Sequence, residues 1–278
     1  MTTRQARARA ALVYGGALLM LVWSAGPFVW QISTSFQLDR ALTGPTPSFI
    51  PHPFTWAHYT SAFFHRHLQF YLRNSLIVAV FTTLFCLFFG TLAAFALSRL
   101  KIRGRFGLLM VILSVSMFPQ IAIVGPLYLI ASAFNLLDTY RGLIIVYLAL
   151  GLPLVTWVLF GYFETLPREM DEAGRVDGVS TLGLLWRIIL PISLPALVTT
   201  GLLAFIAAWN EFLFALAFTS NFQHQTVPVG IANFTDIYYV PWGDISAAST
   251  VVTLPLIILV LFFQRHIIQG LTMGGLKE

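Results

Sequence analysis

Trp209-Asn210-Glu211-Phe212 sets one carboxylate and one amide between two aromatic rings, about 18 residues into an apolar run that begins near residue 193. At about 1.5 Å per residue this is near 27 Å along a helix. An acid so deep in an apolar segment is costly and is therefore a functional candidate. Three chemistries suit it. The carboxylate and amide can accept hydrogen bonds from a ligand's hydroxyl groups while the rings stack on it; the acid can make a structural bond within or between subunits; or it can carry a proton. Thr199, Thr200, Ser249, Thr250 and Thr253 add hydroxyls on the apolar runs, where a packing role is commoner than ligation. A second charge-bearing stretch, DEAGRVDGVSTLGLLWRIILP over residues 171–191, gathers five charges in a chain that is only 10% charged.

The elements that hold these residues are membrane spans. The chain has 278 residues, 58% of them hydrophobic, and a mean hydropathy of +0.81, against roughly 45–50% apolar in soluble domains. Charge-free windows exceed the roughly 18 residues that cross a bilayer. Six spans are expected, near 10–33, 74–98, 106–132, 140–163, 193–218 and 246–264. Lipid cannot hydrogen-bond a backbone and the runs lack the alternation of barrel strands, so the spans are helices and the fold is all-α, a single transmembrane domain over 1–278. Of the sixteen Lys and Arg, twelve fall before the first span, in the second and fourth connections and after the last span, and four (Arg40, Arg66, Arg73, Arg141) fall on the other side. The richer side is expected to be cytoplasmic, with both termini inside. That topology accounts for the net charge of +5 without a nucleic-acid surface. Ser24-Ala25-Gly26 after three Arg imitates a cleaved signal, but the apolar run continues through Phe28 and Trp30.

Two long connections face outward in this topology, 34–73 and 219–245. The first holds His52, His58, His65 and His67, read as surface residues, because His65 and His67 are two apart and have no carboxylate or cysteine beside them. The second holds Tyr238, Tyr239 and Trp242, either an interfacial belt or a docking surface. Pro119, Pro126, Pro153, Pro195 and Pro255 interrupt spans, which membranes tolerate where neighbours or a water-filled path satisfy the freed carbonyls. Cys86 is the only cysteine and lies mid-span, so neither a disulfide nor a zinc cluster is available.

Between the fourth and fifth spans, over 164–191, the charged stretch reads as two short helices. Pro167 suits a first turn, and Glu169, Asp171 and Glu172 suit the positive helix end. Gly178 ends the first helix and Ser180 caps the second, whose Leu182, Leu185, Trp186 and Ile189 share one apolar face. Small residues at the bend, Ala173 and Gly174, allow another protein's backbone to approach. The residues alone leave two readings: a knob for a partner, or an interfacial helix on lipid.

The stretch resembles the E-A-A-x3-G-x9-I-x-L-P pattern of bacterial binding-protein-dependent ABC importer permeases. Glu172, Ala173, Gly178, Ile188, Leu190 and Pro191 match at the same spacing, and Asp177 fits the common form. Gly174 stands where a second Ala is usual, a swap that stays small but lowers helix propensity by roughly 1 kcal/mol. The resemblance implies a type I importer permease fold whose loop forms coupling helices. Glu172, Ala173, Gly174, Asp177, Gly178, Arg187, Ile188, Leu190 and Pro191 would then meet a cleft on a cytoplasmic ATPase, with Glu172 against a basic residue. Phe54-Thr55-Trp56-Ala57-His58-Tyr59, Asn74-Ser75-Leu76, Trp209-Asn210-Glu211-Phe212, Thr226-Val227-Pro228-Val229-Gly230 and the tail Gln264-Arg265 with Gly270–Lys277 resemble the smaller maltose-type subunit of the carbohydrate-uptake branch.

That resemblance implies a second homologous permease, two ATPase subunits, an extracytoplasmic sugar-binding protein and a sugar such as trehalose or maltose. ATP and Mg would sit on the ATPase and no cofactor on this chain. The chain has no phosphate-cradling loop, since neither Lys101 nor Lys277 follows Gly, and no hydrolytic constellation, so it is not expected to be an enzyme. Trp209, Asn210, Glu211, Phe212, Thr250 and Thr253 would line the sugar pathway, and Tyr238, Tyr239 and Trp242 would meet the binding protein. The rival reading is a secondary transporter driven by Glu211 protonation, although no paired repeat is seen. A non-transporting scaffold is a third.

Overall fold

The computed structural model describes residues 3–44 and 49–273, with side chains over 12–44 and 49–265. Gly274, Gly275, Leu276 and Lys277 of the tail, and the side chains of Gly270–Met273, lie outside the described residues. Regular structure among the described residues is helical, with no strand, so each segment satisfies its own backbone as lipid requires. The helices used below are α1 (Thr3–Ser35), α2 (Leu68–Arg99), α3 (Arg105–Ser116), α4 (Gln120–Ala133), α5 (Tyr140–Thr165), α6 (Glu169–Val176), α7 (Leu194–Trp209), α8 (Leu213–Phe218) and α9 (Trp242–Met273).

Four of these, α1, α2, α5 and α9, are long and apolar enough to cross a bilayer unbroken. Two further helix pairs are apolar but bent: α3 meets α4 at 89°, and Thr181–Ile192 meets α7 at 83°, which gives six spans if each pair is one. The run expected as one helix over 106–132 therefore breaks after Ser116. Pro119, just ahead of α4 and with ψ 120, has no N–H to continue the ladder. The run expected over 193–218 also breaks, ending at Trp209 and restarting at Leu213.

The chain forms two compact units. One is Met1–Leu68 with Ile231–Leu254, and the other is Gln69–Gly230 with Pro255–Glu278. In the first, α1 exposes apolar side chains along its length, Leu19 and Trp23 among them, and ends in an aromatic cluster. Phe36 stacks on Phe54 at 4.5 Å, with Trp56 at 4.8 Å and Tyr59 at 5.1 Å. In the second, α3 and α7 pack on α5, and α8 packs on α4 and α5. Its core runs from Cys86, Ala94 and Phe95 of α2 through Val155, Leu159 and Phe163 of α5 into Leu184, Leu185 and Ile189. Inside lipid, apolar burial gives little driving force, so close backbone approach through small residues matters more. A Cβ at Gly90 would lie 2.6 Å from Val155 Cγ1, which shows how near α2 comes to α5.

Candidate functional site

The charged stretch folds as two helical pieces closed by their own backbone and side chains. Gly178, at φ +74, ends α6, and the Val179 N–H donates to the Gly174 carbonyl at 2.9 Å. Ser180 Oγ accepts from the Gly183 N–H at 3.1 Å, which caps Thr181–Leu184. Leu185–Ile189 then widens into a π turn. The extra residue per turn shifts the side-chain phase, so the apolar face expected for Leu182, Leu185, Trp186 and Ile189 divides. Leu185 and Ile189 are buried, while Leu182 and Trp186 are exposed.

The presented surface holds Glu172, Ala173, Asp177, Gly178, Arg187 and Pro191, all exposed, with Ile188 and Leu190 half-buried. Val176, 88% exposed, stands among them. Gly174 does not belong to this surface. It is buried, and a Cβ there would lie 2.7 Å from Ile188 Cδ1 and 3.1 Å from Leu184 Cδ1, so its smallness serves the packing of the knob on itself rather than a partner's approach.

Two basic residues that the sequence marks only for topology, Arg99 and Arg105, make ion pairs at the inner side of the knob and at the end of α5. Arg99 Nε is 3.3 Å from Asp171 Oδ2, with the Arg99 side chain 1% exposed, and Arg99 Nη2 donates to the Leu166 carbonyl at 3.0 Å. Arg105 makes a two-pronged bond to Glu164 at 3.0 and 3.1 Å. The available sequence signal is a basic residue in the last turn of an apolar span.

The four side chains of the Trp209–Phe212 quartet are placed apart. Trp209 is buried against Phe205, ring centroids 5.6 Å apart. Asn210 donates to the Ile206 carbonyl of its own helix at 2.8 Å, and Phe212 is exposed. Glu211 sits in the break, where Oε1 accepts from the Phe214 N–H at 2.8 Å and Oε2 from the Ala215 N–H at 3.1 Å. It thus satisfies donors left bare by the restart of the helix as α8. The remainder of its surroundings is a cavity of about 140 Å³ lined by Thr82, Gln120, Tyr147 and Glu211 among apolar neighbours. The hydroxyls of Thr82 and Tyr147 have no hydrogen-bond partner among the described residues. Thr250 and Thr253 spend their hydroxyls on the carbonyls of Ser246 and Ser249, one turn back.

Of the outer connections, 219–230 is held by residues whose motif was legible but whose task was not. Asn74 donates to the carbonyls of Phe222 and Gln225 at 3.2 and 2.9 Å and accepts from Tyr140 at 2.7 Å, and Ser75 Oγ accepts from the Val227 N–H at 2.8 Å. Tyr238 is 96% exposed, and Tyr239 and Trp242 are also exposed. His58, expected on the surface, is instead buried. Its Nε2 faces the Gln37 carbonyl at 2.8 Å and its Nδ1 faces Asp244 Oδ1 at 2.9 Å, while Ser61 donates to Asp244 Oδ2 at 2.9 Å and Arg66 Nε lies 3.4 Å from the same oxygen. The bond to Asp244 holds the His58 pKa above its usual range, against the opposing effect of burial, with help from the Gln37 carbonyl.

Four unbroken apolar helices, two bent helix pairs and a compact charged knob between α5 and α7 suit an integral-membrane permease of the ABC-importer kind. The chain belongs to the family of binding-protein-dependent transport system inner membrane components, whose profile matches residues 86–273. It is 43% identical over 265 residues to the trehalose/maltose transport system permease protein MalG of Thermococcus litoralis, covering 94% of this chain and 95% of that protein. It is 39% identical to the sulfoquinovosyl glycerol transport system permease protein SmoH of Agrobacterium fabrum, over 94% of this chain and 92% of that protein. It is 37% identical to the trehalose transport system permease protein SugB of Mycobacterium tuberculosis, over 96% and 94%. Its fold matches a chain of a bacterial ABC transporter that imports alginate, with a TM-score of 0.80 at 22% identity over 95% of this chain and 98% of that one.

Proposed function

We propose that this chain is the sugar-translocating permease subunit of an ATP-driven importer, with trehalose or maltose as the substrate class. It pairs with a second, homologous permease, and α1, whose apolar side chains from Leu12 to Val29 are largely exposed among the described residues, faces that partner or lipid. Two cytoplasmic ATPase subunits hold ATP and Mg. An extracytoplasmic binding protein delivers the sugar to the side bearing Tyr238, Tyr239 and Trp242. ATP binding moves the knob and the helices fixed to it between inward-open and outward-open arrangements, and hydrolysis resets them. The cavity beside Glu211 lies on the sugar's path.

The observation that carries this reading is the knob. Glu172, Ala173, Val176 and Trp186 are presented outward, on helical pieces closed by Gly178 and Ser180 and continuous with α7. A surface of that kind suits a protein partner of opposite charge better than lipid, which Glu172 and Asp177 would repel. Proton transport through Glu211 is disfavoured, because both of its oxygens are engaged in holding the α8 end.

The test is ATP hydrolysis by the co-purified complex, reconstituted with its binding protein. Trehalose or maltose should stimulate hydrolysis by the wild type, and Glu172→Arg should lower that stimulation by roughly tenfold or more while the permeases still assemble, as expected of a like-charge clash at an interface. A wild-type protein that brings no ATPase with it would sink the reading.

A further inference from the structure

The outward face of the knob accounts for Glu172 and leaves unexplained the charges turned the other way. Asp171 is adjacent in sequence, stands in the same first turn of α6, and is buried where Glu172 is exposed. It meets Arg99, the final residue of α2, whose guanidinium also holds the Leu166 carbonyl just before α6. Around this pair, Arg105 at the start of α3 donates to the carbonyls of Leu97 and Ser98 at 3.4 and 3.2 Å as well as to Glu164, and Arg168 donates to the Ser98 carbonyl at 3.3 Å. The last carbonyls of a helix have no partner within it. Here those of α2 are satisfied from α3 and from the turn that leads into the knob.

The covalent path from α5 to the knob is poorly suited to transmit a push. It leaves α5 through Leu166, in extended conformation with ψ 136, ahead of Pro167, and at the other end it bends by 83° into α7. Arg99 and Asp171 supply a second connection that does not follow the chain. In a low-dielectric surrounding, separating them strands two bare charges, so the end of α2 and the first turn of α6 move together or not at all.

We infer that the Arg99–Asp171 pair is the positioning contact that delivers knob movement to α2, and that without it ATP hydrolysis runs free of sugar translocation. This rests on the coupling function proposed for the knob. Glu172 faces the ATPase and Asp171 faces the membrane helices, so the two neighbours divide engagement from transmission between them.

The test compares Asp171→Asn with wild type in the reconstituted complex, reading sugar-stimulated ATP hydrolysis and sugar taken up per ATP hydrolysed. Asp171→Asn keeps its ATPase and its basal hydrolysis, loses stimulation by about fivefold or more, in the range of a typical coupling between sites, and its uptake per ATP falls in the same proportion. Asp171→Glu, which keeps the charge, restores both. A merely stabilising pair would lower the amount of complex without changing uptake per ATP. If Asp171→Asn does not assemble, Arg99→Met with Asp171→Leu replaces the pair by apolar groups of similar size, a change that buried ion pairs often tolerate. That double variant is expected to assemble and to be uncoupled. Wild-type uptake per ATP in either assembled variant overturns the inference while leaving the coupling function intact. A wild-type complex without sugar-stimulated hydrolysis overturns both.

Discussion

At the residue scale, His58 shows how much a single ring reveals through its partners. The Gln37 carbonyl can only accept a hydrogen bond, and the Asp244 carboxylate, held ionised against burial by His58, Ser61 and Arg66, can likewise only accept. Both ring nitrogens therefore donate, which is the charged imidazolium. A histidine pKa raised by folding contributes stability that is fully present below its unfolded value of about 6.5 and is lost as the pH rises through the raised value. Thermal unfolding of the purified protein should show the wild type losing stability across that window, with His58→Gln less stable at low pH and flatter with pH. Equal slopes for the two would remove His58 from the account. Neither this bond nor the one between Arg99 and Asp171 was legible in the sequence, because Asp244 is 186 residues from His58 and nothing local marks a partner so distant. Glu211 was legible as unusual. Its task of capping α8 was not, because the break that leaves those N–H groups bare had been read as continuous helix.

At the scale of elements, the connection 219–230 is fixed by fit as much as by hydrogen bonds. A Cβ at Gly230 would overlap three ring atoms of the buried Tyr71. An aromatic ring has no flexible end to move aside, so Gly230→Ala is expected to cost about 1–3 kcal/mol by overpacking, measurable as a lowered unfolding midpoint. An unchanged midpoint would mean that the connection is looser than its contacts imply. The knob's later boundaries were legible because Gly178 and Ser180 each have a local backbone reason to stop or start a helix, whereas Pro167, expected in the first turn, lies ahead of the Arg168 cap. The π turn at Leu185–Ile189 had no such signal, and so the apolar face was misassigned. Pro119 announced an interruption, but a 89° bend between α3 and α4 depends on what packs around it and not on proline alone.

For the whole molecule, hydropathy made the all-α membrane class legible, and the E-A-A-type stretch made the family legible. What composition could not supply was the division of labour: apolar side chains along α1 left bare, a cavity beside Glu211, and a knob tied to α2 as well as to its own flanking helices. Together these are the features on which the proposed permease function rests. The most direct test is uptake of labelled trehalose or maltose into vesicles containing the full complex and its binding protein, energised either by ATP on the knob's side or by a proton gradient alone. The account predicts uptake with ATP, its loss in Glu172→Arg, and none on the gradient. Uptake on the gradient alone, unaffected by Glu172→Arg, would contradict it.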